Sequence, residues 1–304
     1  MRPEASRDRR ALRASRLLRA VVVAAAASVA LVLSGCSGAP SGAETPDAAS
    51  RAQTAAPTPT ATPDPFPKEP LTPATRYVAL GDSYAAGFGG GAEQGKCRLS
   101  ANGYPSVFAR KAGIDLVVNA ACAGATTSDL LKHQLIALDD RTDLVTVSIG
   151  GNDLGVAEIA GDCAAGKAAA CRNEVTAALS LLNVLPDRLQ TVYSAIAQAA
   201  PNARIVVTGY TLLYDVSAPG APDFQTSAAI NAATLGLNEV IRQAVDDQRA
   251  AGKPLTFLPV DFAGHEVGDA KPWLNTTGAD VFHPTAAGYA EYANRLVQLL
   301  GRAQ

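Results

Sequence analysis

Histidine is scarce in this chain. His133, His265 and His283 are the only three among 304 residues, and no C-x-x-C pair accompanies them. A zinc site of the usual Cys/His spacing therefore has no support. Uninterrupted apolar sequence is scarce too. The run from Ala20 to Leu33 covers about 14 residues, short of the roughly 20 that a bilayer-spanning helix needs. Clusters of Lys and Arg are missing after the first 35 residues, which argues against binding to nucleic acid, since phosphate contacts need them. No internal repeat is present, so solenoids and propellers are excluded.

What the N-terminus does have is arginine. Residues 2–19 hold seven against Glu4 and Asp8, a local charge of about +5. Followed by the short apolar run, this suits an export signal. The run ends in Leu33-Ser34-Gly35-Cys36, which resembles a bacterial lipobox, where cleavage precedes a cysteine that then carries lipid. The expected layout is a lipoprotein signal peptide over 1–35, a lipidated Cys36 with a linker to residue 75, and a domain over 76–304. Arg9-Arg10 leaves Sec and twin-arginine export both open. Without residues 1–35 the net charge is about −7. Residues 37–75 contain nine prolines among Ala, Thr and Ser. Such a segment stays extended, and at about 3.1 Å per residue it reaches up to roughly 120 Å. Cys97, Cys122, Cys163 and Cys171 remain, and an exported protein keeps disulfides. Four cysteines allow three connectivities. Nearest-neighbour closure gives Cys97–Cys122 and Cys163–Cys171, and sequence alone does not choose.

The domain alternates strand and helix patterns. Tyr77–Leu80, Leu116–Asn119, Leu144–Ile149, Arg204–Thr208 and Leu255–Val260 are short and nearly continuously apolar, as strands buried on both faces of a parallel sheet are. Helical stretches lie at about 104–112, 127–138, 174–200, 226–251 and 285–300. The reading is an α/β fold with a parallel sheet and helices on both faces. Ligands bind such sheets beyond the C-terminal ends of the strands.

Polar residues gather at that edge. Ser83 follows the first strand, Gly124 the second and Asn152 the third; Asp280 and His283 follow the last. A serine hydroxyl needs a base within hydrogen-bond reach, and His283 suits the role because imidazole titrates near neutrality. Asp280, three residues earlier, is placed to orient the ring. The backbone N–H groups of Ser83 and Gly124 and the amide of Asn152 are candidate oxyanion donors, Gly124 because it lacks a Cβ. Asp82 and Asp153 are expected to brace neighbouring loops, while His133 and His265 lack partners at motif spacing. Trp273 could border an acyl pocket or merely pack. Gly87–Ala92 fits a dinucleotide fingerprint but sits some seven residues past its strand and lacks the acid about 20 residues on. Gly90–Cys97 fails as a phosphate loop because Cys97 replaces Ser/Thr and no strand leads into it. The nucleophile elbow G-x-S-x-G is missing, with Ala85 at its second glycine.

Gly81-Asp82-Ser83-Tyr84, Gly124, Gly151-Asn152-Asp153 and Asp280-Val281-Phe282-His283-Pro284 together resemble the four blocks of the SGNH/GDSL hydrolase family, in order over about 77–300. The resemblance implies a three-layer α/β/α, flavodoxin-like fold with a parallel five-stranded sheet. It implies a serine esterase or lipase needing no metal or cofactor. Ser83 would be the nucleophile, Ser83, Gly124 and Asn152 the oxyanion hole, and Asp280 with His283 the rest of the triad. The cysteine spacing resembles secreted actinobacterial esterases of the family, which implies Cys97–Cys122 and Cys163–Cys171 bridges. In some of those relatives a backbone carbonyl replaces the triad acid. The expected partners are an ester substrate (lipid or acylated sugar) and the outer face of the bacterial membrane through Cys36; a monomer is expected. A catalytically silent binding lipoprotein and a glycan or lipid acyltransferase are the alternatives. Loops 86–103, 154–173 and 211–226 would set the acyl preference.

Overall fold

The computed structural model describes residues 64–67, 69–155, 159, 162, 166–219, 221 and 224–304, all within one compact unit, Thr60–Gln304. Cys36, Cys163, the signal region and most of the linker lie outside the described residues. Five strands, β1 (Arg76–Gly81), β2 (Asp115–Asn119), β3 (Leu144–Ser148), β4 (Arg204–Thr208) and β5 (Leu255–Leu258), form one parallel sheet in the order β2-β1-β3-β4-β5. This is the flavodoxin-like order of doubly wound sheets. Every residue of β3 and β4 is buried, whereas none of β2 is. That contrast separates strands covered on both faces from one at a sheet edge.

The helices are α1 (Ser83–Ala86), α2 (Tyr104–Ala112), α3 (Thr127–His133), α4 (Ala168–Leu181), α5 (Leu185–Ala199), α6 (Phe224–Ala250) and α7 (Ala286–Leu300). α2 packs on α7, and α5 packs on both α3 and α6. In α7, Tyr289, Tyr292, Ala293, Leu296 and Leu300 are buried, a stripe at helical spacing. Its start is capped by the Thr285 side chain, which accepts from Gly288 N–H.

Three expectations need correction. The single helix at 174–200 is two helices, α4 and α5, because Pro186 sits in the first turn of α5, where its missing N–H and fixed φ begin a helix rather than continue one. The stretch 127–138 is α3 followed by a 3-10 turn, Leu135–Ala137. Packing also begins before residue 76: Phe66 and Leu71 are buried in the core, and Arg249 pairs with Asp64 at 2.8 Å. A proline-rich composition masked two apolar anchors that have area to bury.

The sheet order reverses between β1 and β3, so their C-terminal ends frame a crevice. The two chains approach closely there. A Cβ on Gly81, whose φ is +129°, would lie 2.1 Å from the Ser148 carbonyl oxygen, a position only glycine can occupy. Gln134 clamps the same residue from the other side. Its Oε1 accepts from Gly81 N–H at 2.7 Å and its Nε2 donates to Gly81 O at 2.8 Å.

Candidate active site

Ser83 opens α1, two residues beyond this clamp. Asp82 caps the helix, its Oδ1 accepting from Tyr84 N–H at 3.0 Å. The cap fixes where the Ser83 side chain leaves the turn. Ser83 is only 8% exposed, and its Oγ lies 2.8 Å from Nε2 of His283, 200 residues away in sequence.

His283 is delivered by a tight loop before α7. Its N–H donates to Asp280 O at 3.0 Å. Phe282, just before it, adopts φ +64°, a left-handed conformation that is rare for a bulky side chain and costs roughly 1–3 kcal/mol. The loop is held in this form on both sides. Phe282 N–H donates to Asn275 O at 2.8 Å, and the Tyr84 hydroxyl donates to Phe282 O at 2.8 Å. Asn275 Nδ2 donates to both Gly89 O and His283 O. The Phe88 ring lies 4.7 Å from the imidazole, centroid to centroid.

The other ring nitrogen departs from expectation. Nδ1 of His283 faces the Val281 carbonyl oxygen at 3.2 Å. Among the described residues no hydrogen bond joins the Asp280 carboxylate to the ring. An N–H on Nδ1 donating to Val281 O leaves the Nε2 lone pair for the Ser83 hydroxyl, the tautomer a base requires. Burial lowers the imidazole pKa below its ordinary 6.5; the Val281 and Asp280 carbonyls and the Asp280 charge oppose that shift. Asp280 thus acts on the ring through its charge and its backbone.

Asn152 begins the 3-10 turn Asn152–Leu154 after β3. Its Nδ2 donates one hydrogen to Ala125 O at 3.0 Å, leaving the second free. That bond holds the loop carrying Gly124, and Ala123 N–H donates to Cys97 O at 3.1 Å on the other side of the glycine. Gly124 has φ +84° with open space around it. Its backbone conformation, not crowding, therefore calls for glycine. Cys97 and Cys122 are disulfide-bonded; Cys171 is also disulfide-bonded, while Cys163 lies outside the described residues.

The two aspartates beside the site serve the loops. Asp153 accepts from Thr127 N–H at 2.9 Å and Thr127 Oγ1 at 2.6 Å, and pairs with Arg188 at 3.1 Å. Asp82 is 1% exposed, and burial pushes its carboxyl up to about 7, against hydrogen bonds from Tyr210 and Tyr84. Tyr210 is a residue the motifs do not reveal. Its hydroxyl donates to Asp82 and accepts from Gly151 N–H at 3.2 Å. It therefore links the turn carrying Ser83 to the turn carrying Asn152. Its one sequence signal is its place two residues past β4. Trp273 packs rather than lining the cleft, stacked on His265 at 3.7 Å and edge-on to Phe262.

Ser83, Asn152 and His283 open on a cleft of about 90 Å³ whose far wall includes Leu213, Leu237 and Phe282. Among the described residues no group of three or more His, Cys, Asp or Glu is placed to hold a metal ion. A hydroxyl against a neutral imidazole, beside a free amide hydrogen and an apolar wall, is equipped for acyl transfer from an uncharged donor.

A family model described as GDSL-like lipase/acylhydrolase matches residues 79–291. A lipase of Streptomyces rimosus is 38% identical over 233 residues, covering 73% of this chain and 85% of the relative. Lipase 1 of Streptomyces coelicolor is 38% identical over 226 residues, 71% and 82% of the two chains. Among solved structures, the extracellular lipase of Streptomyces rimosus superposes with a TM-score of 0.67 at 37% identity, covering 74% of this chain and 99% of that one. Phospholipase A1 of Streptomyces albidoflavus gives a TM-score of 0.67 at 36% identity, with the same coverage.

Proposed function

We infer from the GDSL-like lipase/acylhydrolase family, to which this chain belongs, that it hydrolyses carboxylic esters through an acyl-enzyme on Ser83. The observation that carries this reading is the 2.8 Å contact between Ser83 Oγ and His283 Nε2. Ser83 Oγ attacks the ester carbonyl carbon while its proton passes to Nε2. The negative charge that develops on the carbonyl oxygen is met by the N–H groups of Ser83 and Gly124 and by the free amide hydrogen of Asn152. Each such donor contributes roughly 10²–10³ in rate. The C–O bond then breaks, the alcohol leaves with the proton from His283, and the acyl group stays on Ser83. Water, giving its proton to His283, releases the acid and restores the serine. The Val281 carbonyl holds the ring and helps it carry the positive charge.

The lipase and phospholipase A1 relatives support lipid esters as substrates. Ser83→Ala is expected to lower p-nitrophenyl butyrate hydrolysis by about 10³-fold or more. Background rates in both wild type and variant would instead favour a silent binding protein, and faster transfer to an added alcohol than to water would favour an acyltransferase.

Export and anchoring belong to the same proposal. The arginine-rich start, the short apolar run and Cys36 support them, as does the extracellular lipase among the relatives. Cys36→Ser should move the protein from the membrane fraction to the medium, because the linker holds no apolar segment to replace a lipid chain. Retention of that variant in the membrane would end the anchoring proposal.

A further inference from the structure

The cleft at Ser83 does not end at its far wall. Leu213, Thr234, Leu237 and Phe282 also border a second cavity of about 50 Å³. Beyond them it is lined by Leu154, Ile159, Val175, Ala178, Ile230 and Ala233, with no charged side chain. Ile230, Ala233, Thr234 and Leu237 form one i, i+3, i+4, i+7 stripe of α6, and Val175 and Ala178 one step of α4. Stripes of this kind normally meet a facing helix and fill the space between them. Here the facing residues Ala178, Ala233 and Thr234 are small, and space remains. The Thr234 hydroxyl donates to Ile230 O at 3.1 Å, so it is satisfied within its own helix. Water gains little in such a place, for want of polar partners. On its other side Asn152 borders a groove lined by Thr126, Thr127, Ser128, Asp153 and Arg188. An ester over Ser83 thus has an apolar side and a polar side to lie along.

We propose that the cavity between α4 and α6 receives the distal methylenes of the acyl chain, so that Ala178, Ala233 and Ile230 set the acyl length this protein accepts. This rests on ester hydrolysis at Ser83. The carbonyl carbon sits at Ser83, the first methylenes pass Leu213, Leu237 and Phe282, and the rest of the chain enters the second cavity. The expected substrates are medium to long acyl esters of a polar alcohol.

Two measurements test it. The first is kcat/KM for p-nitrophenyl acetate, butyrate, octanoate and dodecanoate. Wild type should prefer octanoate or dodecanoate to acetate. Ala178→Phe, which fills the cavity, should lower the octanoate-to-acetate ratio at least tenfold, since pocket contacts discriminate roughly 10–200-fold per methylene. Ile230→Ala should shift the preference toward the longer ester, and it decides the matter if Ala178→Phe does not fold. Ratios unchanged within twofold in folded variants would overturn the proposal. The second is calorimetric binding of butyrate, octanoate and decanoate to Ser83→Ala, with and without Ala178→Phe. Affinity should rise with chain length and lose that rise when the cavity is filled. Chain-length-independent binding would also overturn it. Length-dependent binding without ester hydrolysis by wild type would sustain the cavity and defeat the catalytic reading.

Discussion

The imidazole of His283 is oriented by a group that has no side-chain signature. Val281 O occupies the Nδ1 position at 3.2 Å, and Asp280 raises the ring pKa through its charge while burial lowers it. Two consequences follow for Asp280→Asn. The loss in kcat/KM should stay below about tenfold, because the ring keeps its hydrogen bond; a buried triad carboxylate would cost about 10⁴. The acid limb of the pH profile, expected below pH 6.5 in wild type because burial lowers the ring pKa, should move to still lower pH, since a charge favouring imidazolium is gone. A 10⁴ loss, or an acid limb moved upward, would show that the carboxylate holds the ring. Asp82 offers a second test through stability. Its carboxyl is raised to about 7, against about 3.9 in an unfolded chain. Between those values the folded state keeps a proton that the unfolded state has lost, so a rise in pH costs stability across this window. The contribution is largest below pH 4 and gone above pH 7, with a slope up to about 1.4 kcal/mol per pH unit. Asp82→Asn keeps an Oδ1 acceptor for Tyr84 N–H, turns the group facing Tyr210 into an Nδ2 donor, and cannot ionise. In guanidinium unfolding its stability relative to wild type should rise from pH 5 to pH 8. A constant or shrinking difference would contradict the assignment.

Elements differ in how plainly the chain announces them, and the reason is where each one is buried. β3 and β4 are covered on both faces, so Leu144–Ser148 and Arg204–Thr208 read as strands from composition alone. Ser83, Gly124 and Asn152 could be read together because each sits in a motif in the loop that follows a strand, and His283 in one just before the last helix; a parallel sheet brings such loops to one edge. Cues carried by one residue are harder to read. Pro186 divides α4 from α5, yet an apolar period runs through both. Phe66 and Leu71 anchor a segment whose prolines and threonines speak for an extended chain. Val281 contributes only a carbonyl, which every residue owns, so no pattern marks it. Tyr210 acts across 128 residues on Asp82, and only the folded pairing of β3 with β4 places it beside Gly151.

At the scale of the molecule, the site is a set of loops brought together from both ends of the domain, and their mutual register must be held. The sheet fixes β1 against β3, and Tyr210 and Asn152 join their loops. The edge strand β2 leads into the Gly124 loop with fewer buried contacts. The Cys97–Cys122 bridge supplies a tie at that weak side: it closes 25 residues and joins the segment after α1 to the loop after β2. Ala123 N–H to Cys97 O adds a hydrogen bond alongside it. In the chain-entropy model a closure of this length contributes about 3 kcal/mol. Register is a separate effect, and the two can be measured apart. Replacing both residues, Cys97→Ala with Cys122→Ala, should lower the unfolding free energy by about that amount. At a temperature where the variant stays folded, kcat for p-nitrophenyl butyrate should fall by up to about 10²-fold, the scale of one misplaced oxyanion donor. KM should change less, because neither Cys97 nor Cys122 lines the cleft with Leu213, Leu237 and Phe282. An unchanged kcat in folded variant would mean that the bridge stabilises the protein without aligning Gly124 with Ser83.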